Sequence, residues 1–234
     1  MSIRKSAEAL TVADRRVLYD TRRDVYYPKP VLRGWLHLLW FAASLLGGTL
    51  LVSSAQGAAR VTSVAVYAGS VSGLFGISAL YHRGNWDLRW GRRLQRLDHM
   101  MIFLLIAGTA TPAFLVAAPG RYGLVCLIVL WAVTVAAAVT HLVWVSAPER
   151  LVGATFVGLG WAAGMALPAV WIHAGIAAAV LLFAGGVLYT AGAVMYHRRR
   201  PDPVPAVFGF HEVFHAFVCA AAACQFVAIA LFIV

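Results

Sequence analysis

Apolar residues in this chain run in long, nearly unbroken stretches instead of alternating or recurring every third or fourth place. A bilayer-crossing helix needs about 20 consecutive, mostly apolar residues. Seven such stretches can be marked off, at 34–54, 61–82, 98–118, 122–145, 151–167, 175–196 and 209–234. The fifth is the shortest, because Pro168 closes it early. The runs are far longer than a barrel strand, and a segment in lipid must satisfy its own backbone hydrogen bonds. The pattern therefore predicts an all-α fold, an integral membrane bundle of seven transmembrane helices. The spans take 153 residues and six loops share 48, so two regions are expected: a basic N-terminal segment over 1–33 and a transmembrane domain over 34–234.

Composition agrees and narrows the class. Hydrophobic residues make up 62% of the 234 positions and charged residues 12%, against ~45–50% and ~25% for soluble domains. Mean hydropathy is +0.80. An ordinary cytosolic enzyme, a disordered regulator and a nucleic-acid-binding domain are excluded, despite a net charge of +10. The first 33 residues mix acids with bases and carry no cleavage pattern, so no signal peptide is expected. Cys126, Cys219 and Cys224 all lie in apolar runs without a CxxC pair, as small buried hydrophobes do.

The distribution of charge explains its excess. Of 19 Lys and Arg residues, 17 fall in the N-terminal segment and the second, fourth and sixth loops, and two in the loops between. By the positive-inside rule the N-terminus is expected in the cytoplasm and the C-terminus outside, in a multi-pass protein of the cell membrane. Arg15, Arg16, Arg22, Arg23, Lys29 and Arg33 read first as topology determinants and second as contacts for anionic headgroups. Gly69-x3-Gly73 and Gly160-x3-Gly164 have the spacing of close helix approach.

Ionisable groups inside spans are costly and mark function. The clearest pattern is His211-Glu212-Val213-Phe214-His215, which opens the seventh span. Its two histidines lie one turn apart on one face, as a shared metal ion requires, and the string matches HExxH, in which the acid serves as general base. Ser78 and His82 share a face at the end of the second span, and Asp98 opens the third. Asp98 and His99 are about 100° apart on a helix and should face different neighbours. Under the charge-derived topology, His82, Asp98, His211 and His215 all fall at the cytoplasmic ends of their helices. Three His ligands with one open position is the arrangement of a catalytic zinc. Asp98 also suits a helix cap, or a partner for Arg92, Arg93 and Arg96. His37, His141, His173 and His197 read as interfacial or capping residues.

These residues resemble those of the hemolysin III family, which belongs with the adiponectin and progestin receptor-type membrane proteins. That group falls in the wider CREST superfamily of seven-helix metal-dependent hydrolases, which includes alkaline ceramidases. The matching stretches, 29–37, 78–82, 97–112 and 208–218, run from the first span to the last. The resemblance implies His82, His211 and His215 as zinc ligands, Asp98 holding the water on the metal, and Ser78 as a supporting or substrate-facing group. Ala110 departs from the Tyr that relatives commonly carry, and Glu212 is not general in the receptor-type branch.

The function expected is a zinc-dependent membrane hydrolase of lipid amides or esters, ceramide-like amides first, with Asp98, Ser78 and Glu212 as the catalytic candidates. Zinc is the cofactor and membrane lipids are the partners, one of them the substrate; nucleic acid is not a partner, and the oligomeric state is left open. The alternative is a non-enzymatic sensor or regulator of membrane state with a structural zinc. A cytolysin ranks third, since nothing here resembles a pore-forming toxin. A retinal protein is excluded, because the lysines are Lys5 and Lys29, with none in the last helix.

Overall fold

The computed structural model describes residues 17–20, 25–118, 120–144 and 148–234. It opens on a small antiparallel pair, β1 (Val17–Asp20) and β2 (Val25–Pro28), with Val17 opposite Pro28 and Asp20 opposite Val25. This hairpin lies in the stretch read above as the N-terminal segment. The longer elements after it are all helices. Among the described residues, seven helical segments are long and apolar enough to cross a membrane, as the hydrophobic runs predict.

α1 (Trp35–Ser54) and α2 (Ala58–Arg83) form the first two spans. α3 (Leu88–Pro112) begins ten residues ahead of the expected start at Asp98. Arg89, Arg92, Arg93 and Arg96 are spaced i, i+3, i+4, i+7, so they share one face of a helix that hydropathy alone does not register. Asp87 caps this helix, its Oδ1 accepting from the Trp90 N–H at 2.8 Å. At the far end Pro112 has no N–H to donate, and the helix loosens into a π turn over Ala113–Ala117.

α4 (Arg121–Val143) is the fourth span. The fifth consists of α5 (Glu149–Ala163), a 3-10 turn (Gly164–Ala166) and α6 (Leu167–Ala174). It therefore continues past the expected end at Leu167. Pro168 sits in the first turn of α6, where a missing N–H costs nothing, so the residue restarts the helix instead of ending the span. α7 (Ile176–Arg198) and α8 (Phe210–Ala228), the latter extended by a π turn over Ile229–Ile233, complete the bundle.

Within the bundle, α2 lies between α1 and α3, α7 packs along α8, and α1 also meets α8, so the first and last spans are neighbours. The centre is filled by Tyr67, Phe75, Phe103, Phe114 and Ile229, all fully buried. Outward faces carry exposed Leu39, Leu46, Ile128, Ile172 and Leu231, a surface suited to lipid.

The small-residue pairs are only partly at contacts. A Cβ on Gly73 would meet the Met101 side chain, whereas Gly69 and Gly160 have nothing within 4 Å and Gly164 only ordinary contacts beyond 3.6 Å. A Cβ on Gly108 of α3 would collide with the Ser70 side chain of α2, 2.6 Å from its Cβ. Gly108→Val should therefore lower stability by about 1–3 kcal/mol through overpacking. Gly69→Ala should leave it unchanged or slightly raised. Thermal unfolding of the purified protein in detergent, both variants against wild type, measures the difference.

Candidate metal centre

Three histidines from two distant segments converge where α2 ends and α8 begins. His82 comes from the last turn of α2, and His211 and His215 from the first turns of α8. One ligand atom from each lies within 4.8 Å of the other two. The Nε2 atoms of His82 and His211 are 3.3 Å apart. His82 and His215 are buried and His211 is half-buried. Aromatic rings of Tyr196 and Phe214 stand edge-on to His211, at centroid distances of 5.3 and 6.1 Å.

The groups around the cluster are polar and ordered. Asp98 places its Oδ2 3.7 Å from the His82 Nε2. Ser78, one turn before His82, is buried. Its Oγ lies 2.8 Å from the Nδ1 of His37, contributed by α1. His37 then stacks on His215 at 3.6 Å between ring centroids and 11° between planes. Its Nε2 is buried without a hydrogen-bond partner among the described residues.

His37, expected as an interfacial or capping residue, is instead buried between Ser78 and His215. Helix parity held the missing signal, because the first span begins on the side where the second ends and the seventh starts. His141 departs from its reading in another way: its Nε2 lies 3.2 Å from the Nδ1 of His99. Asp98 and His99 thus face different neighbours, as their 100° offset requires.

Glu212 occupies a different environment from the one HExxH suggests. Its Oε2 accepts from the Gly209 N–H at 2.9 Å, at the start of its own helix. Its Oε1 accepts from the Arg33 Nε. Arg33 is 6% exposed and Glu212 1%, so this ion pair is almost wholly out of water. Asp202 takes the next free donor, accepting from the Phe210 N–H at 2.9 Å. Two carboxylates therefore satisfy two of the open N–H groups at the start of the helix that carries His211 and His215, where negative charge also suits the helix dipole. Gly34 completes the junction. It adopts φ +79° and leaves no room for a side chain, since a Cβ would stand 2.9 Å from that of His82.

A larger groove of about 760 Å³ lies elsewhere, between α5 and α7, lined by Trp161, Val187, Thr190, Val194 and Arg198 among others.

Comparison with known proteins adds a family. Residues 25–226 match the family described as Haemolysin-III related. The Hemolysin-3 homolog of Bacillus subtilis (strain 168) is 29% identical over 133 residues, covering 57% of this chain and 60% of that protein. Hemolysin-3 of Bacillus cereus is 27% identical over 176 residues, covering 75% of this chain and 77% of that protein. The match thus spans less than two thirds of the Bacillus subtilis relative.

The ion pair makes a direct prediction. Arg33→Met leaves the Glu212 charge buried and unpaired, which should cost about 3–5 kcal/mol. Adding Glu212→Gln, which keeps an oxygen for Gly209, should recover part of that loss. Unfolding temperatures of the single and double variants in detergent check the order, and a double variant worse than Arg33→Met would contradict it.

Proposed function

Because the chain belongs to the haemolysin III family of multi-pass membrane proteins, we propose that its histidine cluster holds a zinc ion and that it hydrolyses lipid amides or esters, ceramide-like amides first. One observation carries the reading: three imidazoles with ligand atoms within 4.8 Å of one another, beside a carboxyl group 3.7 Å from one of them. The donor set fits zinc. Two Zn–N bonds of ~2.0–2.1 Å at a tetrahedral angle separate the nitrogens by about 3.3 Å, and the His82 and His211 Nε2 atoms are 3.3 Å apart. His82, His211 and His215 would be the ligands. When bound, zinc would polarise a substrate carbonyl and bring the pKa of a coordinated water toward ~7.

The remaining roles belong to the chain. Asp98 accepts the proton released during hydrolysis. Ser78 orients Asp98, and His37 orients Ser78 from the opposite side. Glu212 is assigned no proton transfer, because Arg33 and Gly209 already occupy its oxygens; it holds the start of α8 in place. The charge asymmetry supports an N-terminus in the cytoplasm, with the centre near the cytoplasmic face. A second reading, a membrane-state sensor with a structural zinc, draws support from the position of the large groove away from the histidines.

Wild-type protein purified without chelators should contain about one zinc per chain by elemental analysis, and His211→Ala/His215→Ala should contain none. Asp98→Asn should keep the metal and lose lipid-amide hydrolysis by ~10²–10⁴-fold, the usual contribution of a positioned acid or base. A metal-free wild type refutes the zinc centre. A zinc-free double variant with unchanged hydrolysis refutes its catalytic role and favours the sensor.

A further inference from the structure

Beside the histidines, three cations converge on a cleft that the proposed hydrolysis does not use. Residues 30–33 form a strap that pairs with the loop before α8, through Val31 N–H to the Ala206 carbonyl at 3.0 Å and Leu32 N–H to the Val207 carbonyl at 3.1 Å. Under the strap is a cavity of about 440 Å³ lined by Lys29, Pro30, Val31, Arg33, Arg83 and Asn85. Each cation is held by a separate contact. The Lys29 Nζ donates to the Gly84 carbonyl at 2.9 Å and lies 3.4 Å from the Arg83 carbonyl. The Arg83 guanidinium stacks over Trp35 at 3.9 Å. Arg33 is anchored through its Nε to Glu212.

None of these anchors exhausts the donors. An ammonium has three N–H groups and a guanidinium five. Stacking engages the face of the Arg83 group and leaves its N–H edge, and the terminal nitrogens of Arg33 lie beyond the Nε bond. Charge is also left over. Among the described residues, Glu212 is the carboxylate ion-paired with this trio, so three positive charges meet one negative. Burial and the charges of Arg33 and Arg83 push the Lys29 amine below its usual range. That repulsion is what a bound anion would relieve.

We propose that this cleft binds a phosphate group. Guanidinium forks and a point-charge ammonium, arriving from different directions, suit a tetrahedral oxyanion with several charged oxygens. The same chemistry is offered by a phosphomonoester lipid headgroup and by free phosphate. The rim favours the lipid: Val31 is 65% exposed, and Leu32 and Trp35 38% each, an apolar edge at the membrane end of α1 on which acyl chains can rest.

The test uses the full chain in nanodiscs, with phosphatidic acid titrated into phosphatidylcholine and retained lipid counted by native mass spectrometry. Wild type should retain phosphatidic acid. Arg83→Gln should weaken retention by about tenfold, the order of one charge-assisted contact, and Arg83→Lys by less. Arg89→Gln, a basic position of α3 outside the cleft, should match wild type. Zinc content should stay at the wild-type level in Arg83→Gln, which separates this site from the metal centre. If inorganic phosphate stabilises the wild type and displaces the lipid, the cleft is a phosphate site with a soluble ligand. Equal retention by Arg83→Gln and wild type overturns the proposal. So does equal loss in Arg83→Gln and Arg89→Gln, which would mark diffuse surface charge.

Discussion

A guanidinium and a carboxylate with almost no access to water join the first and last spans of this bundle. Arg33 precedes the first span and Glu212 sits in the first turn of the last, 179 positions away. A buried ion pair adds little net stability over an apolar pair, but breaking it strands a charge. Its effect is positional. It draws the chain before α1 against the start of α8, and through Gly209 it fixes how that helix begins. The two histidines of α8 inherit their placement from it. So does the strap over residues 30–33, whose backbone runs alongside the loop that Glu212 anchors.

The distribution of polarity follows from the solvent. A soluble protein hides apolar groups from water, whereas here exposed leucines and isoleucines cover the outside of the spans. Polar side chains gather at one end of the bundle, where Ser78, His37, His215, His211, His82 and Asp98 contact one another in turn and Glu212 pairs with Arg33. Most of their contacts are with other members of the group, because lipid offers no alternative partner. This mutual dependence makes the cluster a single unit. Removing one member changes the partners of at least one other.

Much of the fold was legible in the sequence, because a membrane span is written in consecutive residues. Seven runs became seven spans. The errors came where local chemistry outweighs hydropathy. α3 begins at Leu88, since its first turns are amphipathic and basic, and the fifth span passes Pro168, since proline is tolerated in a first turn. The convergence of the three histidines was legible through spacing and parity: His211 and His215 are one turn apart, and His82 reaches the same end of its helix. Arg33 and His37 were not recognised as neighbours of the triad. A buried arginine beside a span looks like any topology charge until its partner is known, and Glu212 lies too far along the chain for any local pattern to name it. For the same reason HExxH suggested a base where the fold has placed a helix anchor.

The separation of the three histidines along the chain has a consequence for biosynthesis. His82 and His211 are 129 positions apart, and every span from the third to the sixth is made between them. No partial chain ending before α8 contains the triad or the carboxylate that Arg33 needs. During synthesis Arg33, His37 and His82 therefore enter the membrane as an unfinished half-site and must wait for the last helix to reach them. The histidine triad thus reports completion: a nascent or truncated chain lacks it, and only a fully inserted bundle assembles it.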